Sequence, residues 1–205
     1  MVGVSGGIGS GKSSVAEALA AQGAAVVDTD HVAHALTGKE GGAMAAIRAA
    51  FGSTVIGPDG ALDRVAMRKR VFSDGAARKQ LEGILHPLIR EQSREQCRQA
   101  TAPYVLLLIP LLAETWQASP YDFLDRILIV DCEEAVQVAR VMARSGMSAA
   151  EVQAIMATQA DRATRRALAD DIVNNNGEWA ALEAPLKDLH QRYLSLASQK
   201  VKASC

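Results

Sequence analysis

Aromatic residues are scarce in this chain. Three Phe, two Trp and three Tyr make up 4% of it, although 49% is hydrophobic, so a core built from it must be filled by Ala, Leu, Val and Ile. Cysteine is scarcer still. Cys97, Cys132 and Cys205 lie far apart with no Cys-x-x-Cys spacing, which argues against a disulfide framework or a zinc site and suits a reducing compartment. Surplus charge is missing too: the net charge is −1, so the balance points to neither nucleic acid nor an anionic membrane as a partner. The longest apolar run, Tyr104 to Ala113, is broken by Pro110 and too short to cross a bilayer. Met1 leads directly into a strand candidate, without the regions of a signal peptide. These absences predict a cytoplasmic protein. Its 205 residues, free of repeats and linkers, fit one α/β domain with insertions.

What is present is sharper. Gly6-Gly7-Ile8-Gly9-Ser10-Gly11-Lys12-Ser13, followed by Ser14, is a complete Gly-x-x-x-x-Gly-Lys-Ser phosphate-binding loop. Val2 to Ser5 reads as a strand running into it. Ser13 to Gln22, with Val15, Ala16, Leu19 and Ala20 on one face, reads as a helix leaving it. Glycines let such a loop curl so that successive N–H groups and the helix N-terminus meet an anion. Lys12 would reach the β- and γ-phosphates, and the Ser13 hydroxyl would help hold Mg²⁺. The alternative is a Gly-rich turn that happens to hold a lysine, and the order strand, loop, helix argues against it. The chain is expected to bind ATP with Mg²⁺.

Further strands are expected over Ala24–Asp28, Tyr104–Ile109, Arg126–Asp131 and Asp171–Asn174, with helical stretches between them. This pattern predicts a five-stranded parallel sheet flanked by helices, a P-loop NTPase fold, with the core at 1–30, 101–132 and 168–205. Two connections are too long for simple crossovers. Residues 31–100 hold helix candidates over Ala43–Phe51 and Asp63–Phe72, a third from Gly75 to a bend at His86-Pro87, and a fourth to Ala100. Between Asp63 and Arg98 nine Lys/Arg face five Asp/Glu, which fits either an anionic acceptor or a solvated helical surface. Residues 133–167 carry Arg140 and Arg144 on one helix face, a capping box at Ser148/Glu151, and then Arg162, Arg165 and Arg166. A hairpin of helices bearing arginines suits a lid over a triphosphate.

The absences also narrow the class. No Asn-Lys-x-Asp is present to read guanine, and the Tyr104–Ile109 strand ends in Ile-Pro without a Walker B carboxylate. A small-molecule kinase with an acceptor subdomain and a lid fits best; a regulatory or assembly ATPase fits less well. Asp28-Thr29-Asp30 at the end of the second strand then becomes the catalytic candidate. Asp30 would orient the acceptor hydroxyl and take its proton late in a loose phosphoryl transfer. Asp28 would bind Mg²⁺ through water or cap the next helix.

These segments together resemble the dephospho-coenzyme A kinase family along nearly the whole chain. The resemblance is carried by Ser5 to Ser14, Val27-Asp28-Thr29-Asp30, Leu85-His86-Pro87-Leu88-Ile89 and Pro110-Leu111-Leu112-Ala113-Glu114. Gln137, Arg140 and Arg144 continue it, and Ala169 to Gly177 completes it. It implies transfer of the ATP γ-phosphate to the ribose 3′-hydroxyl of dephospho-coenzyme A. It also implies Lys12, Asp30 and Arg140 as catalytic residues, and Arg144 and Asn175 as nucleotide contacts beside the loop. His86, Arg90, Leu111 and Glu114 fall in regions the family uses for the acceptor, although His86 before Pro87 could equally end a helix. Two departures stand out: Asn174 replaces a frequent Asp, and Leu108 stands where many members carry Asp.

Overall fold

The computed structural model describes residues 1–116 and 121–203. Cys205 lies outside the described residues. Two compact units emerge, Met1–Val27 with Gln99–Cys205, and Asp28–Arg98.

The first unit is organised by one sheet of five strands in the order β2-β3-β1-β4-β5. These are β1 (Val2–Ser5), β2 (Ala25–Asp28), β3 (Val105–Leu108), β4 (Arg126–Asp131) and β5 (Asp171–Asn174). Strand β1 is central and pairs in parallel with β3, Val4 opposite Leu108, and with β4, Val4 opposite Leu128. Strand β4 pairs in parallel with β5, which sets Asp131 opposite Asn174. Every residue of β1 and β3 is buried, as expected for central strands covered on both faces.

Helix α1 (Lys12–Ala20) and the C-terminal helix (Glu183–Ala203) share one cluster with the sheet. In it Val15 and Leu19 meet Val4, Leu106, Leu128, Leu186 and Tyr193. Each such aliphatic side chain contributes about 1.5–3 kcal/mol by leaving water. Small and branched residues carry this core, in keeping with the shortage of aromatics. Gly3 leaves room in β1 for Leu124, whose Cδ1 would stand 2.6 Å from a Cβ at that position and would have to shift. At the other end of the sheet Asp171 accepts from Arg126 at 2.7 Å, Arg192 at 2.6 Å and Tyr193 at 3.1 Å. Burial would raise its pKa, but these donors prevail and hold the carboxyl below its ordinary value.

The second unit is helical: α2 (Thr29–Leu36), α3 (Met44–Phe51), α4 (Arg64–Ser73) and α5 (Gly75–Gln99). Asp63 caps α4 by accepting from Val65 N at 3.0 Å and Ala66 N at 2.9 Å. The two helices expected to meet at a bend at His86-Pro87 are one, for α5 runs through Pro87 as a single helix of 25 residues. Proline forfeits a single donor to the carbonyl four residues back. That residue is Gly83, whose backbone has the freedom to tilt its carbonyl away from the ring. The remaining bonds of a long helix offset the loss. Among the described residues no helix is long and apolar enough to cross a membrane.

Because Pro87 is exposed, Pro87→Ala should restore the donor and stabilise the Asp28–Arg98 unit by about 1–3 kcal/mol. A higher denaturant midpoint at unchanged slope is the expected reading, and a lower midpoint would contradict the account of α5.

Candidate functional site

Strand β1 ends at Ser5, and the chain turns at once into the loop Gly6–Gly11. Two glycines take positive φ, Gly9 at 74° and Gly11 at 88°. The second is the N-cap of α1, and no side chain caps that helix. The end of the helix therefore faces the loop with the positive potential of its dipole, which favours an anion there. Lys12 is the first residue of α1, and Ser13 and Ser14 follow it, exposed, in the first turn.

The rest of the unit presses on this loop. A Cβ on Gly6 would lie 2.5 Å from the Val130 carbonyl oxygen, and one on Gly9 would lie 2.8 Å from both Gln137 O and Val141 Cγ2. A Cβ on Gly11 would lie 2.2 Å from Asn175 Nδ2. That amide donates to Ser10 O at 2.7 Å, so Asn175, buried just beyond β5, buttresses the loop from outside.

Three helices follow β4: α7 (Glu134–Ser145), α8 (Ala149–Met156) and α9 (Arg162–Ala167), and of these α7 presses on the loop and α9 on β4. The expected capping box is present, with Glu151 N donating to Ser148 Oγ at 3.3 Å and Ser148 N to Glu151 Oε2 at 2.8 Å. Arg140 on α7 donates to Asn175 O at 2.8 Å, Asn175 Oδ1 at 3.3 Å and Gly177 O at 3.3 Å. The guanidinium thus holds the Asn175–Gly177 segment. Arg144 stands exposed in the last turn of α7. Leu111 is exposed before the short helix α6 (Leu112–Thr115). Glu114 on α6 reaches the segment between α8 and α9, where its Oε1 accepts from Ala160 N at 2.8 Å.

Several residues of the site were not singled out from sequence. Asp131, buried at the end of β4, receives Arg162 as a two-pronged fork, with both contacts at 2.8 Å, and Arg166 at 2.5 Å. The hydrogen bond from Arg162, with help from Arg166 and against the cost of burial, holds its carboxyl below the usual carboxylate range. Gln159 Oε1 accepts from Ile8 N of the loop at 3.0 Å. Arg165 is 7% exposed, and its Nη2 lies 3.1 Å from the Cβ position of Gly7. An acidic residue closing a strand was the available signal for Asp131, the same signal that drew attention to Asp28 and Asp30. Gln159 and Arg165 carry no such mark.

The other expected residues lie in the second unit. Asp28 caps α2 by accepting from Asp30 N at 2.8 Å, so the capping role is realised. One of its oxygens is occupied in this way. Asp30 is exposed in the first turn of α2, and His86 and Arg90 are half-buried on α5. Among the described residues no three His, Cys, Asp or Glu side chains gather as a metal cluster. Magnesium does not need one: it retains waters and substrate phosphates and takes only one or two hard oxygens from protein. The Ser13 hydroxyl and the Asp28 carboxylate are donors of that kind.

Comparison with known proteins agrees with this arrangement. The family model for dephospho-CoA kinase matches residues 1–181. A dephospho-CoA kinase of Dechloromonas aromatica is 55% identical over 205 residues, covering 100% of this chain and 98% of that protein. Among solved structures, one from Thermus thermophilus is 36% identical with a TM-score of 0.78, covering 93% of this chain and 96% of its own. A dephospho-CoA kinase from Campylobacter jejuni shares the fold at 21% identity with a TM-score of 0.62, covering 94% of this chain and 96% of that one.

Asp131→Asn should loosen α9 from β4. Removing one partner of a buried pair costs about 3–5 kcal/mol, less here because both arginines are more than a third exposed. A Tm lowered by several degrees is expected. The sign with pH follows from the depressed carboxyl: its stabilisation is complete above the unfolded carboxylate pKa and disappears as pH falls through the lower folded value. Wild type should therefore lose stability in acid more steeply than Asp131→Asn, and parallel acid profiles would refute the ion-pair account.

Proposed function

The chain belongs to the dephospho-CoA kinase family and is an ATP-dependent kinase, and on that premise we propose that its acceptor is the ribose 3′-hydroxyl of dephospho-coenzyme A. The products are coenzyme A and ADP, which closes coenzyme A biosynthesis. The full-length family match, together with an uncapped α1 N-terminus behind a complete phosphate loop, carries this reading.

Phosphoryl transfer runs through a loose transition state, so the protein has chiefly to position the reactants and balance charge. The loop amides from Gly6 to Ser14 and the α1 dipole hold the phosphates, and Lys12 adds its charge at the β- and γ-positions. The Ser13 hydroxyl and the Asp28 carboxylate are the oxygens that would hold magnesium, which would supply neutralisation of charge on the phosphates. Asp30 orients the acceptor hydroxyl and receives its proton as the P–O bond forms. Asn175 shapes the nucleotide side of the loop, and Arg140 acts on the nucleotide through Asn175 and Gly177. Arg144 contributes as a second cation of the lid. His86 and Arg90 on the one unit and Leu111 and Glu114 on the other are assigned to acceptor binding in this reading, and the basic groups suit the diphosphate of dephospho-coenzyme A. The protein is assigned to the cytoplasm, where that substrate is made, with no nucleic-acid or membrane partner.

The decisive assay couples ADP release to mass spectrometry with Mg-ATP and dephospho-coenzyme A, with AMP, CMP and adenosine as control acceptors. A phosphorylated product from dephospho-coenzyme A alone is expected. Transfer to a control instead would reassign the acceptor, and ADP without any phosphorylated acceptor would favour a regulatory ATPase. Asp30→Asn should keep ATP affinity while turnover falls by about 10²–10⁴-fold. Turnover at the wild-type rate would remove Asp30 from its role.

A further inference from the structure

The arginines that follow α8 are not equivalent. Arg162 and Arg166 are both engaged by Asp131. Arg165 lies between them in sequence, yet its guanidinium is turned to the phosphate loop. Its Nη2 and Cζ lie 3.1 and 3.2 Å from the Cβ position of Gly7, and its Nη1 donates to the Ala160 carbonyl. Arg165 is 7% exposed, and among the described residues it makes no ion pair. Asp161 senses its charge only through space while accepting from Thr164 N to cap α9. A guanidinium so buried is ordinarily matched by an anion.

A further observation marks the place of that anion. Gln159, six residues before Arg165, puts its Oε1 on the Ile8 amide at 3.0 Å. An N–H of a phosphate loop is thereby answered by a neutral oxygen acceptor of the kind a phosphoryl oxygen would replace. A buried guanidinium and a loop N–H, both donors, thus lie on the Gly7-Ile8 side of the loop.

We infer that Arg165 is a phosphate-binding residue of this kinase, its guanidinium meeting a phosphoryl oxygen of ATP while Gln159 yields the Ile8 amide to the same group. The inference rests on the reading of the loop as an ATP site. The three arginines then differ in role. Arg162 and Arg166 fix α9 on β4, and Arg165 is the cation that α9 thereby presents. Recruiting either of the other two would take a partner from the buried Asp131 carboxylate, whereas recruiting Arg165 gives up at most its bond to the Ala160 carbonyl.

The test compares wild type, Arg165→Ala and Arg165→Lys by calorimetric titration with ATP, by thermal unfolding with and without ATP, and by steady-state kinetics. Arg165→Ala should lower kcat/KM for ATP by about 10²–10³-fold and abolish most of the ATP-induced rise in Tm. KM for dephospho-coenzyme A should hold. The Tm of nucleotide-free Arg165→Ala should equal or exceed that of wild type, because an unanswered buried charge has been removed. Arg165→Lys keeps the charge without the fork and should recover at least about tenfold of the loss. Wild-type affinity and turnover in Arg165→Ala would overturn the assignment. So would a lower nucleotide-free Tm accompanied by an activity loss that Arg165→Lys does not repair, which would mark Arg165 as structural. Wild type that neither binds ATP nor transfers phosphate would overturn the ATP-site reading as well, an outcome distinct from failure at Arg165 alone.

Discussion

A carboxylate at the end of an inner strand, neutralised twice over by one short helix, is the constraint from which the placement of α9 and of the groups beside it follows. Asp131 leaves the sheet at the position paired with Asn174, and Arg162 and Arg166 clamp it from one face of α9. Residues four apart on a helix share a face, so one carboxylate suffices to orient all of α9. That orientation carries Arg165 to Gly7. The chain just before it carries Gln159 to Ile8 and Ala160 to Glu114. The strand that supports the phosphate loop is therefore also the anchor of the groups that close on it. A one-residue shift of β4 against β5 would displace loop buttress and lid together.

The same constraint limits what α9 can do. Freeing Arg162 or Arg166 for a triphosphate would leave the buried Asp131 carboxylate with one arginine in place of two, so each is held to its carboxylate by more than its own contact. Arg140 faces a milder form of the problem, since leaving Asn175 and Gly177 would expose carbonyls that water can satisfy. Arg165 gives up one bond to Ala160 at most. Ranked by what each must surrender, the guanidinium nearest Gly7 is the least costly to commit to a nucleotide.

The sheet was legible in the sequence because each strand had a local signature. Val2–Ser5, Arg126–Asp131 and Asp171–Asn174 were expected at the residues where they occur, being short apolar runs bounded by polar residues. The phosphate loop was legible because its glycines answer a backbone requirement, and Gly9 and Gly11 do take positive φ. The capping box was legible because its two partners lie three residues apart. Helix α5 was misread because a proline rule that holds for short helices gives way when one lost bond is set against a helix of 25 residues. The pairings of Asp131 and Gln159 are not legible because their partners lie 31 and 151 residues away, and Arg165 is legible only as one of three arginines in its segment. Nothing in the one-dimensional pattern distinguishes an arginine on a carboxylate from its neighbour on a loop.

That difficulty bears on how arginines in such lids should be read. A cluster such as Arg162, Arg165 and Arg166 invites the conclusion that all three meet the substrate, since each has the right charge and lies in the right segment. The structure shows why the count misleads. An oligoanionic ligand needs cations held in place, and holding a six-residue helix in place itself occupies cations. Here two are used for position and one is left for the ligand. The two buried ion pairs hold the third guanidinium still, where a flexible arginine would lose entropy on closing over phosphate. The division of labour follows from the spacing, since positions i and i+4 grip one carboxylate and i+3 falls to their side. On this account charge in a lid is informative only once the carboxylates that compete for it have been located.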